Sequence, residues 1–156
     1  MIVKFTLLFT LLAYGIIVSQ SFMYILSLRY AQLNLSLTSY IELRKLVDAS
    51  MRRRFRYPMY IGLLTNLILV ISTIDDPSSL LFIAAAFAFV ALVSDTMITV
   101  KGNIPVNDEI NTWSAERYPA NWADHRAKWL RFFQYRQIAN ISGFVALLVG
   151  AVFGEV

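Results

Sequence analysis

Residues 5 to 28, FTLLFTLLAYGIIVSQSFMYILSL, run for 24 positions without a charge. A helix of roughly 20 apolar residues crosses a hydrocarbon core about 30 Å thick, so this run predicts a membrane span. The rival reading is a secretory leader, because Lys4 precedes the run and Ser19-Gln20-Ser21 imitates a cleavage site. Apolar residues continue past that point and favour the span. Three further apolar stretches lie at 57 to 74, 78 to 100 and 132 to 153. Asp75-Asp76-Pro77 between the second and third reads as a tight turn, which makes those two spans an antiparallel hairpin. Only 15% of the residues are charged, against about 25% in a soluble domain, and four spans with their loops use nearly all 156 positions. The expected fold is therefore all-α, one domain over residues 1 to 156: an integral membrane four-helix up-and-down bundle with helices extended on the cytoplasmic side.

Basic residues near span ends orient such a chain. Arg29, Arg44, Lys45, Arg52, Arg53, Arg54 and Arg56 precede the second span, and Lys101, Arg117, Arg126, Lys128 and Arg131 precede the fourth. The other side carries Lys4 against Asp75, Asp76 and Glu155. Both long loops are expected in the cytoplasm and both termini outside, in a bacterial inner membrane. Within the first loop Ser39-Tyr40-Ile41-Glu42 fits a capping box and starts a helix near Tyr40. In the second, Asn121 to Asp124 starts a helix that projects beyond the membrane before it enters as the fourth span.

The chain has no cysteine and a single histidine, His125. That excludes a disulfide framework, a thiol nucleophile, thiolate-held iron–sulfur clusters, the usual zinc sites and bis-histidine haem within one chain. No metal and no cofactor is expected, and redox chemistry would rest on a weakly held cofactor, a partner subunit or the substrate itself.

Asp95 lies 17 positions after Ser78, and Arg136 lies 17 positions before Phe153. At 1.5 Å per residue each is about 26 Å from the outer end of its span, so the two share a depth. Gln20, Tyr24 and Arg56 fall near the same level. A carboxylate in an apolar helix seeks a partner inside the bundle, and Arg136 is the obvious one, either as a plain structural salt bridge or as the floor of a cavity open to the cytoplasm. On the fourth helix His125, Trp129, Phe132, Phe133, Arg136 and Asn140 recur at spacings of three and four and share a face. Such a stripe suits helix packing; with Gln20, Asn66, Asp95 and Gln137 it also suits a polar and aromatic pocket.

Gly102 and Pro105 read as a break in the third helix, and Asn107 as the cap of a short interfacial helix that Asp108 and Glu109 begin and Trp113 anchors. The order Gly102-Asn103-Ile104-Pro105-Val106-Asn107, then Trp113, Trp129 and Arg136, resembles the membrane domain family that includes the anthrone oxygenases of polyketide biosynthesis, most of whose bacterial members have no known function. The resemblance is densest over residues 101 to 140. It implies a four-helix membrane bundle and, as in the characterised members, oxygen insertion into a polycyclic phenolic carbanion without metal or flavin. Many relatives place a histidine a few residues before the helix-four arginine, where this chain has Phe132, Phe133, Gln134 and Tyr135. A base here would have to be Asp95 or His125, or the activity is absent.

Two functions follow. As an enzyme, the protein would oxidise a lipophilic phenolic or quinol-like molecule. Asp95 or His125 would act as base, with Arg136, Asn103 and Asn107 stabilising charge. Trp113 and Trp129 would form aromatic walls, with Asn140, Gln20 and Tyr24 completing the pocket. A carboxylate held by an arginine is a poor base, which favours His125 if its ring faces inward. As a non-catalytic protein, it would bind a small molecule or serve as an accessory subunit or homo-oligomer, packing through the small face of Ala84, Ala85, Ala86, Ala88 and Ala91. Arg52, Arg53, Arg54 and Arg56 suit anionic membrane lipid as well as orientation. Nucleic acid is not an expected partner, because the net charge of +4 comes from membrane-flanking arginines.

Overall fold

The structure is a computed structural model that describes residues 2 to 154; Glu155, counted above among the outer charges, lies outside them. Among the described residues the chain is helical with short turns and no strand. Helix α1 (Ile2–Met23) passes through a π-helical segment (Tyr24–Leu28) into α2 (Arg29–Asn34). Helix α3 (Leu37–Arg54) meets α4 (Arg56–Ser72) at Phe55 with a bend of 43°. Helix α5 (Leu80–Ile98) continues through a second π-helical segment (Thr99–Asn103) into α6 (Ile104–Asn111), and α7 (Trp122–Phe153) closes the fold.

Three stretches, Ile2–Asn34, Leu80–Asn111 and Trp122–Phe153, are long and apolar enough to cross a membrane; the bent pair α3 and α4 makes a fourth if it is one span. Their outward faces are apolar as well. Leu8, Ile16, Leu64, Ile71, Phe87, Val90, Ile138 and Val145 are all exposed, the reverse of a helix that turns a polar face to water. These properties are those of an integral membrane protein. Helix α1 packs on α4 and α7, and α5 packs on the same two. The turn at Asp75-Asp76-Pro77 forms between α4 and α5, where Asp76 Oδ1 accepts from the Ser78 amide at 3.2 Å and Ser79 caps α5 through the Phe82 amide at 3.2 Å.

Helices α5 and α7 approach closely because small residues face each other. A Cβ added at Gly150 would meet Ala84 Cβ at 2.6 Å, and one at Gly143 would meet Ala91 Cβ at 2.8 Å and collide with the Tyr14 hydroxyl. Ala84 and Ala91 of the α5 alanine face are thus covered by α7 of the same chain. Ala84, Ala85, Ala88 and Ala91 are buried within the chain, and Ala86 is half-buried.

Three local expectations are corrected. The helix before the second span begins at Leu37 rather than near Tyr40, because Ser36 rather than Ser39 is its cap: Ser36 Oγ accepts from the Ser39 amide at 3.4 Å. Gly102 and Pro105 do not break the third helix. The π-helical turn, closed by the Ile104 amide donating to the Thr99 carbonyl, makes room for the Pro105 ring, and proline then sits in the first turn of α6 where its missing N–H costs nothing. Gly102 has another reason to be glycine, since a Cβ there would meet the Phe132 ring at 2.6 Å. Asn107, finally, caps nothing: it lies inside α6 and bonds across to α3.

Candidate functional site

A cavity of about 320 Å³ opens at the end that carries the basic residues, between α3, α4, the wide turn joining α5 to α6, and α7. Met51, Phe55, Met59, Ile104, Trp129 and Phe133 supply apolar walls. Gln20, Tyr24, Thr99, Asn103 and Asn107 add polar atoms, and the guanidinium groups of Arg44, Arg52, Arg56 and Arg136 add charge. Exposed Arg52, Arg56 and Tyr60 form its rim. Both π-helical segments contribute: Tyr24 is the first residue of one, and Thr99 and Asn103 begin and end the other. Such turns recur at functional sites because each sets the residues after it out of phase with the regular helix.

The aromatic wall is ordered. Trp129 stacks on Phe133 with ring centres 5.1 Å apart and planes 11° from parallel, while Tyr24 leans on Phe133 at 4.2 Å. Arg136 lies over Phe133 at 5.2 Å, and its Nε donates to Asp95 Oδ1 at 2.5 Å. Asp95 is fully buried, so this pair ties α5 to α7 at the common depth that helix rise predicts.

On the side facing α3 a second polar cluster closes the cavity. Arg44 donates to Asn107 Oδ1 at 2.7 Å and to the Tyr24 hydroxyl at 3.4 Å, and its guanidinium lies 3.9 Å from the Trp129 ring centre. Asp48 accepts from Asn107 at 2.8 Å, Asn111 at 2.9 Å and Arg52 Nε at 2.8 Å. Arg52 reaches on to Asp108 at 2.6 Å and so clasps α3 to α6. Burial lowers the Arg44 guanidinium from its ordinary range, opposed by the nearby Tyr24, Tyr40 and Asp48.

Of the residues singled out from sequence, Arg136, Asn103, Asn107, Trp129, Gln20 and Tyr24 line the cavity. Asp95 sits behind Arg136 as its partner. Asn103 donates to the Trp129 carbonyl at 3.0 Å, and its Oδ1 is buried without a partner. The other three lie elsewhere. His125 does not face inward: its Nε2 meets Glu109 at 2.7 Å and its ring stands edge-on to Trp113, with centres 5.3 Å apart. Trp113 is buried at the end of α6, where its carbonyl accepts from Lys45 at 2.6 Å. Asn140 is fully buried one turn beyond Arg136, and neither end of its amide has a partner.

Arg44 and Asp48 were missed as site residues. Among seven basic residues before the second span, Arg44 looks like one more orienting charge. The available signal was the Tyr40, Arg44, Asp48 spacing of four, which puts an aromatic, a cation and an anion on one helix face.

Fold and site define an all-helical protein with three or four helices suited to a membrane and a cation-rich aromatic cavity at one end. No family model, no curated protein and no solved structure matches the chain.

Proposed function

We propose that the protein is a four-span up-and-down bundle whose basic end faces the cytoplasm, and that its cavity binds a lipophilic aromatic or quinol-like molecule drawn from the bilayer. The observation that carries this reading is the ordered wall of Trp129, Phe133 and Tyr24 inside a cavity of about 320 Å³, a size and chemistry suited to a small planar ligand. Its rim at Tyr60 and Arg56 sits where a lipophile would pass from bilayer to site.

Oxidation of that molecule is a second reading, favoured by the guanidinium groups that would stabilise an oxyanion and by the resemblance to the anthrone oxygenases. In it a ring CH₂ loses two hydrogens, dioxygen supplies the new carbonyl oxygen, and the second oxygen leaves as water. The proton acceptor is the weak point. Asp95 and Asp48 are both engaged by arginine, and His125 is turned towards Glu109. Binding is therefore the better supported function.

The test is absorbance and mass spectrometry of the protein purified from its own membranes. A quinone, polyphenol or pigment present in stoichiometric amount, and lost in Trp129→Ala, is the expected result. Phospholipid alone, released equally by both proteins, would reject a tightly held aromatic molecule.

A further inference from the structure

Of the two buried arginines that line the cavity, Arg136 forms an ion pair and Arg44 forms none among the described residues. Arg136 has Asp95, and Arg52 has Asp48 and Asp108. Arg44 is 2% exposed, yet among the described residues no carboxylate pairs with it; its partners are the neutral Asn107 and Tyr24, and its Nε–H has no acceptor. Asp48 is one turn away on the same helix, but its oxygens are engaged by Asn107, Asn111 and Arg52. Asp48 offsets the charge without touching it, so what stays costly is a buried guanidinium N–H with no acceptor, which a ligand oxygen would supply. The stack on Trp129 holds the guanidinium flat on the cavity wall, an arrangement suited to a planar oxyanion.

We propose that the occupant of this cavity is a lipophilic aromatic monoanion, a carboxylate or an ionised phenol, whose oxygens take the open donors of Arg44 while its rings lie along Trp129 and Phe133. This rests on the binding reading above and adds the charge of the ligand to it. The polar head goes inward to Arg44, and the ring system extends towards the rim.

Two fluorescent probes of the same ring system separate the alternatives: 9-anthracenecarboxylate, an anion at neutral pH, and 9-anthracenemethanol, which is neutral. Both are titrated against the protein in phosphatidylcholine nanodiscs, with quenching of tryptophan emission as the readout. The expected result is that the anion binds about tenfold tighter or more, and that Arg44→Gln removes this preference, the two probes then binding alike. Arg53→Gln, which removes an exposed charge outside the cavity, keeps the preference. If Arg44→Gln fails to fold, Arg44→Lys, which keeps the cation and loses the planar fork, is expected to bind the anion several-fold more weakly than wild type. Equal binding of both probes to the wild-type protein would overturn the anion and leave the binding reading standing. Binding of neither would overturn both. Loss of 9-anthracenecarboxylate binding in phosphatidylglycerol nanodiscs alone would assign the anion to the bilayer's own head groups and overturn an aromatic acid as the occupant.

Discussion

Tyr40 is a buried phenol at the basic end whose hydroxyl finds no partner, and burial pushes it up to about 12. Its neutral form is favoured in the fold. The contribution is fully present below the ordinary phenol value of 10.0 and is lost as pH rises from there through about 12. Tyr40→Phe should leave stability at neutral pH within about 0.5 kcal/mol and remove that alkaline step, as a pH series of thermal melts would record. Gly102 carries the opposite expectation. Its missing Cβ admits the Phe132 ring, so Gly102→Ala should destabilise by about 1 to 3 kcal/mol, and Phe132→Leu in the same chain should recover part of that in a double-mutant cycle. Residue by residue, the sequence was legible where geometry is regular. Asp95 and Arg136 could be matched across two helices by counting rise, and they meet. For Arg44 the spacing of Tyr40, Arg44 and Asp48 marks a shared helix face, but its burial depends on where α3 folds back against α6, which that spacing does not give.

Among the elements, α3 is held differently from the others. Besides the apolar cluster of Tyr40 and Ile41 with Val106 and Ile110, it reaches α6 through a polar clasp of Asp48, Asn107, Asn111, Arg52 and Asp108, and it joins α4 by the single bent residue Phe55. Asp48 is the buried centre of that clasp, whereas Asp108 is 59% exposed. Asp48→Asn should therefore cost about 1 to 3 kcal/mol, and Asp108→Asn under about 1 kcal/mol, in melts of the detergent-solubilised protein. A larger effect at Asp108 would mean that the clasp is not organised around Asp48. That apolar helices exist was legible from uncharged stretches, since lipid demands them, but the helices run on past those stretches, as Ile2–Asn34, Leu80–Asn111 and Trp122–Phe153 do. The wide turns were not legible. Pro105 and Gly102 look like a break in any reading of local propensity, and only the fit of Pro105 into a π-helical turn, with Phe132 against Gly102, turns them into a continuous helix.

For the molecule as a whole, sidedness is the open property, and the chain is suited to testing it because it has no cysteine. Single cysteines at Ser78, before α5, and at Ser114, after α6, both exposed and at opposite ends of that continuous helix, should react with a membrane-impermeant maleimide from opposite sides. In intact spheroplasts Ser78→Cys is expected to label and Ser114→Cys to label only after lysis; the reverse pattern would invert the proposed orientation. The seam between α5 and α7 bears on how such a molecule moves. Gly143 and Gly150 let two long helices touch along Ala84 and Ala91, and Arg136 with Asp95 pins them further along. Helix α3 is attached to that pair in two layers, a buried one of Tyr40, Ile41 and Asp48 and an exposed one of Arg52 with Asp108, and turns into α4 at Phe55. Salt would weaken only the outer layer, since screening reaches exposed charges and not buried ones, so the grip of α3 is expected to soften with ionic strength without letting go.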